Sequence, residues 1–164
     1  MPYKYKSPTR IMSTLLTYEL TMPTREQQLN QALEAMHFGF RAMVYKPDQR
    51  LNDLGLSRIH HRLLYFIGRN SNCSISELLQ ILDISKQYMH RPLKQLINSK
   101  YVIQTTDSKD RRIKRLRLST RGARLEFELS ELQRQQFDEI FRQLGPQAEK
   151  NWHQVMQLLG QAVS

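Results

Sequence analysis

The sequence contains only one cysteine among its 164 residues, so the chain cannot form an internal disulfide. Its apolar runs are far shorter than the ~20 residues that a membrane span needs, and its first residues lack the apolar core of a secretory signal. Neither an internal repeat nor a low-complexity tract is present. These absences exclude a disulfide scaffold, and we expect a cytoplasmic protein with no membrane partner.

Catalytic signatures are also missing. The sequence has no Ser/His/Asp arrangement, no phosphate-binding glycine loop and no HExxH zinc motif. His60, His61 and Cys73 come nearest to a set of metal ligands, but their number and spacing fit no standard zinc site. Cys73 is expected to be a small structural residue rather than a redox sensor. We therefore expect neither an enzyme nor a cofactor.

Acidic residues are scarce in one contiguous stretch. The chain has a formal net charge of +10, and residues 84–124 hold twelve of its 25 basic residues but only two of its 15 acidic residues. The rest of the chain is neutral, because it holds equal numbers of acids and bases. This localisation favours a dedicated surface for a polyanion, with nucleic acid as the first candidate.

Helical patterns occupy both ends of the chain. Residues 1–23 are expected to form an extended or weakly ordered arm. Thr24 with Gln27 is a capping-box signature for a first helix, which Pro47 is expected to end. Its apolar residues recur at steps of three and four: Leu29, Leu33, Met36, Phe40 and Met43. A long helix after Gly122 and a last helix over about 147–159 follow the same rule.

The middle of the chain predicts a helix-turn-helix followed by a hairpin. A helix capped by Ser57 precedes the short helix of "SISELLQIL", and Ser85 caps the next helix, "SKQYMHRPLKQL". The apolar face of that helix continues across Pro92. Two short strands then flank the polar turn "DSKDRR". The predicted fold is mainly α with a small β-hairpin wing, that is, a winged helix-turn-helix with N- and C-terminal dimerisation helices.

The polar face of the helix after Ser85 suits contacts with DNA bases and phosphates. Gln pairs bidentately with adenine, Arg with guanine, and Lys reaches guanine or phosphate, while groups near a helix start commonly meet phosphates. The candidate contacts on this helix are Ser85, Lys86, Gln87, Tyr88, His90, Arg91 and Lys94. Those in the hairpin turn are Lys109, Asp110, Arg111 and Arg112. We therefore expect double-stranded DNA as the partner.

The hairpin contains a spaced motif: Asp110 and Arg112 form D-x-R, and after five residues Leu118 and Ser119 form L-[ST]. This motif resembles the signature of the MarR (multiple antibiotic resistance regulator) family of winged helix-turn-helix regulators. Ser119 stands where threonine is usual, and Lys100-Tyr101-Val102 replaces the usual Gly-Leu-Val entry into the wing. The resemblance spans residues 24–160 in helix order. It implies that Arg112 enters a DNA minor groove and that Asp110 orients it.

The resemblance also implies an obligate homodimer whose reading helices enter successive major grooves. On this view residues 24–50 and 120–164 dimerise and residues 51–119 form the DNA-binding lobe. The apolar faces expected to interdigitate include Leu29, Leu33, Met36, Phe40, Phe137, Ile140, Phe141, Trp152 and Met156. The alternative is that these helices cap the core of one chain. A small aromatic effector is a further candidate partner, in a pocket lined by His37, Phe38, Arg41, Tyr45 and Tyr65.

Together these observations predict a dimeric, sequence-specific transcription regulator of the repressor type. Two other functions remain open. The basic surface also suits a non-specific architectural protein that coats nucleic acid. The apolar outer helices also suit a winged-helix module that binds a partner protein.

Overall fold

The computed structural model describes residues 23–161, so almost the whole predicted N-terminal arm lies outside the described residues. Within this range the chain forms helices and short strands in the following order: α1 Arg25–Asp53, α2 Arg58–Arg69, β1 Cys73–Ser74, α3 Ile75–Leu82, α4 Lys86–Asn98, β2 Val102–Thr106, β3 Lys114–Leu118, α5 Thr120–Leu144 and α6 Pro146–Gln161. None of the helices among residues 23–161 meets the length and hydropathy that a membrane-spanning helix requires. The mainly α fold with a β-hairpin wing is confirmed.

Helix α1 continues past the residue expected to end it. The capping box at its start is present: the Thr24 N–H donates to Gln27 Oε1 at 2.8 Å, and the Gln27 N–H donates to Thr24 Oγ1 at 3.2 Å. The prediction that Pro47 ends the helix is wrong, because α1 runs on to Asp53. The buried residues of α1 are Val44, Pro47 and Leu51. Their burial on one face offsets the ~3 kcal/mol that an interior proline costs a helix.

The chain divides into two units, one ending at Phe40 and one beginning at Arg41. In the first unit every described residue, from Pro23 to Phe40, is exposed. The second unit holds the hydrophobic core, in which Leu63, Leu64 and Ile67 of α2 are completely buried. Leu125 and Leu129 of α5 belong to that core as well. The start of α5 therefore packs with the winged helix-turn-helix.

The sheet has one strand more than the sequence pattern indicates. β3 lies in the centre and pairs antiparallel with β2 on one side and with β1 on the other. The β2–β3 hairpin, residues 102–118, is hereafter the wing. In β1, Cys73 lies opposite Leu116 and Ser74 lies opposite Arg115. Cys73 is therefore buried in a strand, where burial raises the pKa of its thiol.

A close backbone contact joins α5 to the corner between α4 and β2. Ser119 caps α5: its hydroxyl accepts from the Gly122 N–H at 3.0 Å and donates to the Lys100 carbonyl at 2.6 Å. A Cβ at position 122 would lie 2.0 Å from the carbonyl oxygen of Tyr101, so only glycine fits without displacing the backbone. The helix begins at Thr120, before Gly122 rather than after it as the pattern indicates.

Candidate nucleic-acid interface

Side-chain caps position the two helices of the helix-turn-helix. The Ser74 hydroxyl accepts from the Glu77 N–H at 3.1 Å, and Glu77 accepts from the Ser74 N–H at 2.6 Å, which completes a capping box for α3. Asp83 ends α3 in the left-handed region, with φ of 47°. Ser85 then begins α4, its hydroxyl accepting from the Tyr88 N–H at 3.2 Å. The predicted Ser85 cap of α4 is therefore present.

Helix α4 separates an apolar face from a polar one. Met89, Leu93 and Leu96 are buried, and the helix runs unbroken across Pro92 as the apolar spacing indicates. The structure places the candidate contacts of this helix on its exposed side: Ser85, Lys86, Gln87, Tyr88, His90, Arg91 and Lys94. Their contact with DNA stays a prediction, but every one of these side chains is accessible to a ligand that approaches α4.

A buried histidine supports α4 from behind. The Nδ1 atom of His60 accepts from the Ser57 N–H at 3.0 Å, and its Nε2 lies 3.1 Å from Gln95 Oε1 on α4. Gln95 in turn donates to the Gly55 carbonyl at 3.0 Å. Because Nδ1 accepts a backbone N–H, the ring is neutral with its proton on Nε2. Burial lowers the pKa of His60, and this effect outweighs the hydrogen bond with Gln95, which raises the pKa.

The wing tip presents Arg112 to solvent in one orientation. Its Nε and Nη2 atoms donate to the two carboxylate oxygens of Asp110 at 3.1 and 3.0 Å, while 91% of its side chain stays exposed. The Arg112 N–H also donates to Asp110 at 2.9 Å. These bonds lower the pKa of Asp110. A bidentate pair restricts the guanidinium without covering it, which is the arrangement that the resemblance implies for these two residues.

A second network lies where the turn of the wing begins. Arg115 of β3 donates to Asp107 at 2.8 Å, and to Glu77 and the Asn72 carbonyl at 3.3 Å each. The bond from Arg115, with two backbone N–H groups, lowers the pKa of Asp107 to about 2. Arg115 is one of the twelve bases of the segment, and the sequence pattern gives it no separate role. The pairing of β3 with β1, which no local pattern indicates, brings Glu77 and the Asn72 carbonyl to it. Asp107 is brought to it by the β2–β3 hairpin.

The basic segment forms an exposed surface. Ten of the twelve basic residues in 84–124 are exposed, and the two that are half-buried are Lys114 and Arg115. Lys114 donates to the Thr106 hydroxyl at 2.8 Å across the wing. Lys109 and Arg111 lie exposed beside Arg112 in the turn. Exposed bases on both α4 and the wing give the second unit a positive surface suited to a phosphate backbone.

The residues of the candidate effector pocket are placed as follows. His37 and Phe38 belong to the first unit and contact each other edge to face, with ring centroids 5.3 Å apart. In the second unit, Arg41 and Tyr45 are exposed, whereas Tyr65 is half-buried and the Arg69 guanidinium lies 3.4 Å from its ring centre. The pocket stays a prediction. Within residues 23–161, no group of three or more His, Cys, Asp or Glu side chains is arranged to hold a metal ion.

Comparison with known proteins identifies the family. A sequence model of the MarR family matches residues 54–113, which run from the end of α1 to the wing. The HTH-type transcriptional regulator PetP of Rhodobacter capsulatus is 35% identical over 134 residues, covering 82% of this chain and 81% of PetP. The chain belongs to the MarR family. It is a DNA-binding transcription regulator with a winged-helix fold, and the expectation that it is not an enzyme agrees with this membership.

Solved structures of other MarR-family regulators share the fold. FabT of Streptococcus pneumoniae, in complex with DNA, has a TM-score of 0.71 at 16% identity, covering 84% of this chain and 96% of FabT. A variant of MarR from E. coli, complexed with operator DNA, has a TM-score of 0.64 at 16% identity, covering 84% of this chain and 99% of the variant. The MarR-family resemblance drawn from Asp110–Ser119 is thus confirmed at the level of family and fold.

Proposed function

We propose that this MarR-family regulator is a homodimeric, sequence-specific repressor that binds double-stranded DNA through α4 and the wing. The observation that carries the proposal is that one unit presents two exposed features: Arg112 held in one orientation, and the polar face of α4. A narrow minor groove concentrates negative potential and attracts arginine, while a major groove admits a helix. The solved complexes of FabT with DNA and of a MarR variant with operator DNA support DNA as the ligand of this chain.

Exposed apolar side chains support the homodimer. In the first unit Leu29, Leu33, Met36 and Phe40 are exposed at helical spacing. In the second unit α6 has no buried residue, and Val155, Leu158 and Leu159 are exposed. Phe137 and Phe141 of α5 stack on each other with ring centroids 5.6 Å apart, and Trp152 of α6 meets both rings at a steep angle, at 5.0 and 5.9 Å. Family membership suggests that a second copy of the chain covers these faces, because dimers bury self-complementary apolar surfaces.

A binding titration against the chain's own promoter region tests the proposal. The specific complex should weaken linearly as the logarithm of salt concentration rises, since phosphate neutralisation releases counterions. As a competitor, random duplex should be weaker than the operator by about 10³-fold or more. Equal competition by random duplex would instead support the architectural protein, which the net charge of +10 alone would also suit.

A substitution at the wing tip tests the role of Arg112. Arg112→Ala should weaken operator binding by about 1–3 kcal/mol and leave the dimer intact. The control is Lys46→Ala, which removes the same charge from an exposed position of α1 outside the basic segment. Normal operator binding by the Arg112 variant would disprove the wing assignment.

Release by a small aromatic effector is the remaining part of the proposal. It rests on the family resemblance and on the chemistry of the candidate lining, since Arg41 can pair with a carboxylate and Tyr65 offers a ring. Benzoate serves as the probe: we expect it to raise the melting temperature and to lower operator affinity in wild type. Arg41→Gln should abolish both effects. An unchanged response in that variant would place the effector elsewhere.

A further inference from the structure

We infer that Arg115 is a positioning residue, which fixes the direction of the wing-tip Arg112 by tying the wing to the start of α3 through Asp107 and Glu77. The inference rests on the proposed DNA-binding function and deepens it. Neither Arg115 nor Asp107 needs to contact DNA for this role.

The sheet brings Arg115 to the junction of three elements. In β3 it lies opposite Ser74 of β1 and opposite Thr105 of β2. Ser74 is the residue that caps α3, and its capping partner Glu77 accepts from Arg115. A single guanidinium thus binds together the first turn of α3 and the start of the wing turn. An arginine suits this place because its planar fork donates in several directions at once.

Asp107 carries the constraint from Arg115 to the wing tip. One of its oxygens accepts from Arg115, and the other accepts from the N–H groups of Lys109 and Asp110 at 2.8 and 3.1 Å. Asp110 then holds Arg112 through the backbone and the side chain. The hydrogen bonds form an unbroken series from α3 to Arg112, in which each acceptor is a carboxylate and each link is charge-assisted or made to the backbone.

The charge of Asp107 argues for positioning rather than for electrostatic attraction. Its side chain is only 17% exposed and, with a pKa of about 2, it is ionised at any pH near neutrality. A carboxylate in a wing that approaches phosphates opposes binding unless it performs another task. Arg115 is 30% exposed and its Nε and Nη1 atoms already donate to protein acceptors, so a phosphate contact is not needed to explain it.

Asp107→Asn separates the two interpretations, because it makes the wing more positive. The amide oxygen can still accept from the turn N–H groups, but the charge-assisted bond to Arg115 is lost. If charge alone mattered, Asp107→Asn would raise operator affinity. The control is Asp53→Asn, at an exposed acid at the end of α1, which should raise operator affinity through charge alone. For Asp107→Asn we expect operator affinity to fall by about tenfold, while affinity for random duplex stays equal or rises. A rise in operator affinity would overturn the inference.

A DNA-free measurement makes failure of this inference distinguishable from failure of the proposed function. We expect the NMR order parameter of the Arg112 Nε–H to fall in Asp107→Asn relative to wild type, because the tip is no longer held. An unchanged order parameter would overturn the inference whatever the protein binds. If the wild type did not bind the operator but the order parameter still fell in the variant, only the proposed function would be contradicted.

A charge-conserving pair provides a second, independent test. Arg115→Lys keeps the charge but replaces the fork by a single ammonium group. Arg58→Lys is its control, because Arg58 of α2 is ion-paired with Asp48 at 2.6 Å and lies outside the basic segment. Operator affinity should fall several-fold in the first variant only, with the same salt dependence as wild type. Equal affinities for the two variants, or a shallower salt dependence for Arg115→Lys, would overturn the inference.

Discussion

Helices α4 and α6 have similar lengths, 13 and 16 residues, and each has apolar residues at steps of three and four, but their burial differs. Helix α4 buries Met89, Leu93 and Leu96 within the chain. Helix α6 buries nothing: Trp152 is 37% exposed and Val155 is 57% exposed. Helical periodicity thus indicates that a face is apolar but does not indicate what covers it.

The difference lies in the neighbours of each helix. Helix α4 packs against α2 and β2, which cover its apolar face. Helix α6 packs mainly against α5, and its partners there are Phe137 and Phe141. An apolar face that its own chain leaves open favours association with another surface. The following substitutions test whether that surface is a second copy of the chain.

The largest effect should come from truncating the covered face. Leu96 is completely buried, so Leu96→Ala should lower the free energy of unfolding by about 2–5 kcal/mol. Leu159→Ala removes the same atoms from the open face of α6. In urea unfolding, the cost of the Leu96 substitution should not change with protein concentration, whereas that of Leu159 should shrink on dilution. Equal costs at every concentration would mean that the two faces do not differ.

A charge on the open face of α6 should break the proposed dimer. Val155→Glu places a carboxylate where a second copy would exclude water, which costs several kcal/mol, so we expect the dissociation constant to rise at least about hundredfold. Analytical ultracentrifugation measures this directly. The neighbouring Gln154→Glu adds the same charge and should leave the dimer in place. A Val155 variant that sediments like wild type would remove α6 from the interface.

Acid should lower the stability of the fold that encloses the apolar face of α4. Burial lowers the pKa of both His60 and His61, so the unfolded chain takes up protons first as the pH falls. The stabilisation is therefore complete above about pH 6.5 and is lost progressively below it. Melting temperatures between pH 8 and pH 5.5 should show this decline. The decline should be shallower in His60→Gln, and an identical profile in that variant would contradict the role of His60 behind α4.

The smallest effect is expected at Pro92. Proline has no N–H, so the Tyr88 carbonyl receives no bond from position 92. Pro92→Ala should restore that bond and raise stability by about 1 kcal/mol, or ~2–4 °C in melting temperature. Because Pro92 lies between Tyr88 and Lys94, we also expect a modest change in operator affinity. Calorimetry and operator titration of one preparation measure both, and no change in either would leave Pro92 without a role.

Local patterns predicted most of the fold. Helix order, the Ser85 cap, the helix across Pro92 and the hairpin follow from periodicity, caps and turn residues, which act within a few positions. The pattern wrongly ends α1 at Pro47, because burial of one face of α1 outweighs the cost of an interior proline. It also predicts too late a start for α5, because it treats Gly122 as a boundary. Gly122 lies inside the helix, where it permits the close contact with Tyr101.

The features missed depend on residues far apart in the chain. A strand of two residues such as Cys73–Ser74 has no detectable alternation, and it forms only because β3 offers its free edge. The contact of Arg115 with Glu77 depends on that pairing, since Glu77 lies 38 residues from Arg115 in the chain. The exposed residues of α4 were foreseen because helical geometry alone decides which positions lie opposite a buried face.

The contact of Gly122 with the Tyr101 carbonyl has a consequence for promoter DNA. It packs the end of α4 closely against the start of α5, the helix that leads to the proposed dimer interface. A joint of this kind should restrict the separation of the two α4 helices in the proposed dimer. One base pair inserted between half-sites moves them about 3.4 Å apart and rotates one by about a tenth of a turn. A regulator with so rigid a joint should tolerate a changed base better than a changed spacing.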